Sequence, residues 1–190
     1  MTERLDHLIL VDAHDNPIGT ADKHSAHAAP MLHRAFSAFI TDGNGHMLLQ
    51  RRAAGKYHSG GLWANACCSH PGLGEDTVFS AEQRLSEELG ITCPLQEVGS
   101  FVYLHRFADN LYEYEYDHVL LGQYSGGFAP DPQEIEALRW VTLRELEEEL
   151  RTAPMGFAPW FITAAPLVLR HLNYGLANEG YPLPSDCREK

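Results

Sequence analysis

W-A-N-A-C-C-S-H-P-G-L-G-E-D-T-V-F-S-A-E-Q-R-L-S-E-E-L-G-I, residues 63–91, decides how this chain is read. It runs from an apolar strand end, through a Cys–His pair, into an acidic helix. In an extended segment residues two apart share a face, so Cys68 and His70 point the same way. Pro71, Gly72 and Gly74 break the chain, and Glu75 and Asp76 suit the positive end of a helix. Val78, Phe79, Leu85 and Leu89 form one apolar helical face. Gly90 supplies the C-cap. The stretch therefore brings a thiol, an imidazole and a row of carboxylates toward one place.

Working outward, Leu8–Val11 reads as a first strand, and Thr20–Pro30, polar and rich in histidine, as a loop. Leu32–Thr41 is a strand, the turn Asp42-Gly43-Asn44-Gly45 a hairpin, and His46–Arg51 its partner. Arg51 and Arg52 are strand neighbours, so only one of them faces a site. Val98–Phe107 reads as another strand, followed by a turn at Ala108-Asp109-Asn110. Tyr112–Leu121 reads as a strand that alternates strictly from Tyr112 to Tyr116, with three tyrosines on one face and Glu113, Glu115 and Asp117 on the other. Leu138–Val141 is a last strand. Thr142 and Glu145 form a capping box that opens a helix to about Arg151. A final apolar helix spans Pro159–Tyr174, bent at Pro166 and ended by Gly175, with a loose tail over 176–190. The order is α+β: an α/β/α sandwich around a mixed β-sheet.

The 190 residues fit one domain, led by a segment, residues 1–33, that carries candidate metal ligands. At this size roughly 70% of the unfolded surface can be buried. A formal net charge of −12, from 14 basic and 26 acidic residues, opposes non-specific binding to nucleic acid. Cys67, Cys68, Cys93 and Cys187 contain no C-x-x-C, and Cys67 and Cys68 are adjacent. Reduced thiols and a cytoplasmic protein follow. No apolar run approaches the about 18 residues of a membrane span, and a monomer is expected.

Taken singly, a loop histidine is usually solvated and an E-x-E on a strand is usually an exposed face. Taken together, His27, His33 and His70 with Glu113 and Glu115 make a mixed nitrogen–oxygen set suited to Mn²⁺, Zn²⁺ or Fe²⁺. Lys23, Arg52, Lys56 and Arg84 are the cations available to an anionic ligand. Cys68 is the candidate reactive thiol, activated by a neighbouring charge or silenced by burial.

The helix resembles an altered Nudix box, G-x5-E-x7-R-E-U-x-E-E-x-G-U with U aliphatic. Glu75, Leu85, Glu87, Glu88, Gly90 and Ile91 match. Ser69 replaces the first glycine, and Gln83-Arg84 replace Arg-Glu. An arginine in place of that metal-binding glutamate argues against Nudix-type diphosphate hydrolysis. The wider set of motifs resembles the type I isopentenyl-diphosphate Δ-isomerases, a branch of the Nudix superfamily. It comprises H-x5-H at His27 and His33, R-R-A at Arg51–Ala53, G-L-W-A-N-A-C-C-S-H-P at Gly61–Pro71 and E-E-L-G at Glu87–Gly90. It continues with F-x-Y at Phe101–Tyr103, E-x-E-x-D-H at Glu113–His118 and F-A-P-W at Phe157–Trp160. These cover about residues 8–165.

The resemblance implies a Nudix-like sandwich and an enzyme that interconverts isopentenyl and dimethylallyl diphosphate. His27, His33, His70, Glu113 and Glu115 would hold one divalent metal, Mn²⁺ or Zn²⁺. Glu88, with the backbone carbonyl of Cys68, would hold an Mg²⁺ that arrives with the substrate. Lys23, Arg52, Lys56 and Arg84 would contact the diphosphate. Cys68 and Glu115 would be the acid–base pair, with Glu115 giving the proton, helped by Tyr103, and Cys68 taking one as a thiolate. Trp160 would face the carbocation. Two other functions compete: a Nudix diphosphate hydrolase of altered specificity, and a non-catalytic metal-binding or ligand-binding module.

Overall fold

A computed structural model of the chain describes residues 7–107 and 111–177, with side chains to position 173. The turn expected at Ala108-Asp109-Asn110, and the tail beyond Ala177 with Cys187, lie outside the described residues.

The strand from His33 to Thr41 anchors everything else. It is buried at eight of its nine positions, as a strand covered on both faces must be. Numbered in chain order, this is β3. It follows β1 (His7–Val11), β2 (Pro17–Asp22) and the short helix α1 (Lys23–Ala28). After it come β4 (His46–Arg52), β5 (Trp63–Ala64), β6 (Cys67–Ser69), helix α2 (Thr77–Leu89), β7 (Leu95–Arg106), β8 (Tyr112–Gln123) and β9 (Ile135–Thr142). Helix α3 (Leu143–Thr152), a single 3-10 turn at Pro154–Gly156 and helix α4 (Pro159–Ala177) close the described chain. β3 pairs in parallel with β8, from His33 opposite Glu115 to Thr41 opposite Gln123, and antiparallel with β1, β4 and β6. β7 adds to β8, and β9 to β4. The sheet is therefore mixed, with nine strands among the described residues.

Alternate residues of β3 serve two cores. Phe36, Ala38 and Ile40 meet Ala81, Leu85 and Leu89 of α2. Phe39 joins Val119, Leu146 and the α4 residues Trp160, Phe161, Ala164 and Val168 on the other side. One sheet between two helical layers is the α+β sandwich expected. Helix α2 starts where Asp76 accepts from the backbone N–H of Phe79 at 2.9 Å, and stops where Gly90 takes the left-handed conformation at φ 68°. Thr142 and Glu145 make both bonds of the capping box that opens α3.

Three local expectations are corrected. Thr20–Pro30 is not a loop: β2 runs into it and α1 follows, capped by Asp22, whose carboxylate accepts from Ser25 N–H at 2.9 Å. A six-residue helix of K-H-S-A-H-A has no apolar period to announce it. Phe79 is half exposed and does not share the core face, which is Val78, Ala81, Leu85 and Leu89. Helix α4 passes through Gly175 to Ala177, with Pro166 inside it.

Candidate active site

Four elements deliver four ligand-type side chains to one point. His27 comes from α1, His33 from the start of β3, His70 from just after β6, and Glu115 from the β8 position opposite His33. One ligand atom from each lies within 4.8 Å of the others. The three rings sit with centroids 5.0–5.8 Å apart. Nδ1 of His27 donates to the Lys23 carbonyl at 2.6 Å, and Nδ1 of His33 to the Met31 carbonyl at 2.8 Å. That fixes the tautomer and aims each Nε2 lone pair inward, as metal-ligating imidazoles require. Both Nε2 atoms are buried and without a hydrogen-bond partner among the described residues. Burial lowers His27 to about 4 and also lowers His70, so both are neutral at physiological pH. Burial alone would raise the Glu115 carboxyl; the facing imidazoles of His33 and His70 outweigh it and hold it well below its usual range. Three imidazoles and one carboxylate could hold a divalent cation.

Glu113 does not join these four. Its carboxylate pairs with His58 Nε2 at 2.7 Å and accepts from the Tyr103 hydroxyl at 2.9 Å. The same hydroxyl lies 2.6 Å from Glu115, so Tyr103 has one proton to share between two carboxylates. Burial, then Glu115 and Glu113, push its phenol well up, and it stays protonated.

Alternation along β6 separates the adjacent thiols. Cys67 is fully buried in the α2-side core, whereas Cys68 faces a pocket shared with His70, Tyr103, Glu115 and Trp160. The Cys68 Sγ–H donates to Asn65 Oδ1 at 3.1 Å. Burial, then the charge of Asp117, push the Cys68 thiol far up. Burial thus favours the neutral thiol at Cys68, while His33 and His70 favour the carboxylate at Glu115. Burial raises Asp117 well above the usual carboxylate range too, and it accepts from Ser37 Oγ at 2.8 Å.

Lys23, Arg52, Lys56 and Arg84 line the same pocket. Arg51 turns to the opposite face and pairs with Glu136 at 2.6 and 3.0 Å. Arg52 lies over the Trp160 ring, 5.1 Å from its centroid, and Lys23 lies over Tyr57 at 5.5 Å. The other two cations are held by acids. Lys56 is ion-paired with Glu134; Arg84 is paired with Glu88 and, at 2.7 Å, with Glu87. Burial raises Glu88 despite Arg84. Glu88 thus stands among the cations rather than in the histidine group. Trp160 is buried, and its Nε1–H donates to Asn65 Oδ1 at 3.1 Å.

Sequence reasoning missed His58, Asn65, Ser37 and Glu134. Asn65 sits inside the stretch quoted above, and a buried amide next to the Cys–His pair was the available signal. His58 and Glu134 lie in connecting segments with no periodic pattern to mark them.

The Nudix domain model matches residues 31–161. A protein of Photorhabdus laumondii called isopentenyl-diphosphate Delta-isomerase 2 is 49% identical over 154 residues, covering 81% of this chain and 87% of that one. A protein of the same name from Aromatoleum aromaticum is 45% identical over 170 residues, covering 88% and 90%. Among solved structures, DR0079 of Deinococcus radiodurans superposes with a TM-score of 0.64 at 18% identity, covering 77% of this chain and 90% of that one. It speaks for the fold alone. With the domain spanning most of its length and relatives nearly half identical, the chain belongs to the Nudix superfamily and, within it, to the family of isopentenyl-diphosphate Delta-isomerases.

Proposed function

We propose that this protein interconverts isopentenyl diphosphate and dimethylallyl diphosphate by adding one proton and removing another. The observation that carries the reading is a thiol and a carboxylate, Cys68 and Glu115, facing one pocket that aromatic rings wall and four cations rim. An unactivated alkene needs a proton placed on its terminal CH₂ carbon. The tertiary cation so formed then loses a proton from the carbon on its other side. One donor and one acceptor suffice, and the two exchange roles when the reaction runs backward. Cys68 and Glu115 are that pair, one giving the proton and the other taking it. Tyr103 bridges Glu115 and Glu113 and steadies the carboxylate. Trp160 offers a π face to the cation, an interaction that contributes ~2 kcal/mol when desolvated. Exclusion of water matters more, because water would trap the cation.

His27, His33, His70 and Glu115 would hold the divalent metal, Mn²⁺ or Zn²⁺, with Glu113 within reach of the group through Tyr103. Such a metal supplies charge withdrawal at Glu115. Glu88 and the Cys68 carbonyl would hold the Mg²⁺ of the substrate, and Lys23, Arg52, Lys56 and Arg84 its diphosphate. A hydrolase reading loses ground because Arg84, which pairs with Glu87 and Glu88, stands where the Nudix box carries a metal-binding glutamate. Among the described residues no helix is long and apolar enough to cross a membrane; we take the protein to act in the cytoplasm as a monomer. Incubation with isopentenyl diphosphate and Mg²⁺, followed by NMR, tests the reading. Dimethylallyl diphosphate is the expected product; released phosphate without a rearranged alkene would overturn it.

A further inference from the structure

Asn65 is fully buried and uses every hydrogen-bonding position of its amide. Nδ2 donates to the Ala38 carbonyl at 3.1 Å and to the Cys67 carbonyl at 2.8 Å. Oδ1 accepts from the Cys68 thiol at 3.1 Å and from the Trp160 indole N–H at 3.1 Å. The amide cannot be turned over. Flipping it would set an NH₂ against the indole N–H, which is a donor only, and an oxygen against two carbonyls. The two backbone bonds tie it to β3 and to β6, so its oxygen is a fixed point in the sheet. Ser37 also approaches Cys68, but at 3.7 Å, and its proton is committed to Asp117 at 2.8 Å. The close partner of the thiol is Asn65.

From this we infer that Asn65 is a positioning residue for the reaction: one amide oxygen holds both the proton-carrying thiol of Cys68 and the cation-facing indole of Trp160. The thiol and the ring come from segments 92 positions apart, and each must meet the same five-carbon unit from its own side. A shared acceptor in the β5–β6 connection, tied by backbone bonds to β3 and β6, makes their separation a property of the fold rather than of two independent rotamers. The inference rests on the isomerase reading for what Cys68 and Trp160 do, but not for where they are held.

Two variants test it. In Asn65→Ala, kcat with isopentenyl diphosphate should fall about 100-fold, the scale of an ångström-sized misplacement. KM should stay within about threefold, because the diphosphate cations are untouched. Alkylation of Cys68 by iodoacetamide, read by tandem mass spectrometry, should be about fivefold faster, the factor one ordinary hydrogen bond is worth. In Trp160→Phe the ring stays but the N–H goes, and the amide loses one of four anchors. Cys68 alkylation should again quicken, by about threefold. A folded Asn65→Ala protein with wild-type kcat and wild-type alkylation overturns the inference. If Asn65→Ala does not fold, unchanged Cys68 alkylation in Trp160→Phe overturns it instead. The alkylation arms need no turnover. A wild-type protein that fails to make dimethylallyl diphosphate would sink the isomerase reading and leave the positioning claim to be decided on its own.

Discussion

Two acidic rows, one on β8 and one on α2, show how a partner decides what a carboxylate can do. On β8, Glu113, Glu115 and Asp117 share the buried face while the tyrosines between them are half-buried. Histidines meet the first two: His33 and His70 for Glu115, His58 for Glu113. His33 and His70 hold the Glu115 carboxyl well below its usual range. On α2, Glu87 and Glu88 meet Arg84, a permanent cation that consumes their charge. The altered Nudix box is thus part of a cation-lined rim, and the histidine–carboxylate group that could hold a metal includes Glu115 of β8.

The sharpest way to break this contrast is to neutralise one acid from each row. Glu115→Gln should lower kcat by about 10³-fold or more, the upper range for a lost acid–base group, and should strip tightly held Zn²⁺ or Mn²⁺, read by elemental analysis. Glu88→Gln should leave that metal in place and raise KM about tenfold. If Glu88→Gln emptied the tight site, the two rows would not differ as claimed. Arg84→Ala should weaken binding of inorganic pyrophosphate with Mg²⁺ about tenfold by titration calorimetry, again without loss of the tightly held metal.

The pH dependence sharpens the same point. Burial lowers His27 to about 4, below the 6.5 of a free imidazole. Metal binding at pH 7 therefore displaces no proton from it. The His27 share of that affinity should be flat from pH 8 to about 6 and fall as pH approaches 4, whereas an exposed histidine would weaken from about 6.5. The fold follows the same sign: the contribution of His27 to stability is complete above pH 6.5 and is lost on descent toward 4, because only the unfolded chain takes up the proton. The smallest effect belongs to Glu87, half exposed beside Arg84. Glu87→Gln should change stability by no more than about 0.5 kcal/mol in chemical denaturation.

Much of this was legible in the residues. Asp76 and Gly90 marked the ends of α2, Thr142 and Glu145 marked the start of α3, and the alternation of β8 set three carboxylates on one face. The alternation did not say that this face was the buried one; that depends on β3 lying parallel to β8 with α4 behind it. The helix carrying His27 was hidden because six polar residues have no apolar period. Asn65 could not be read as a hub, because its four partners come from β3, β6 and α4 and meet only in the folded chain. The pull of burial and Asp117 on Cys68, and of His33 and His70 on Glu115, was equally out of reach of the sequence.

The most direct test is the isomerisation run in D₂O, with wild type and Cys68→Ala in parallel. The account predicts solvent deuterium in a methyl group of the dimethylallyl product from wild type, and no product from the variant. Rearranged product that carries no deuterium, or full turnover by Cys68→Ala, would contradict it.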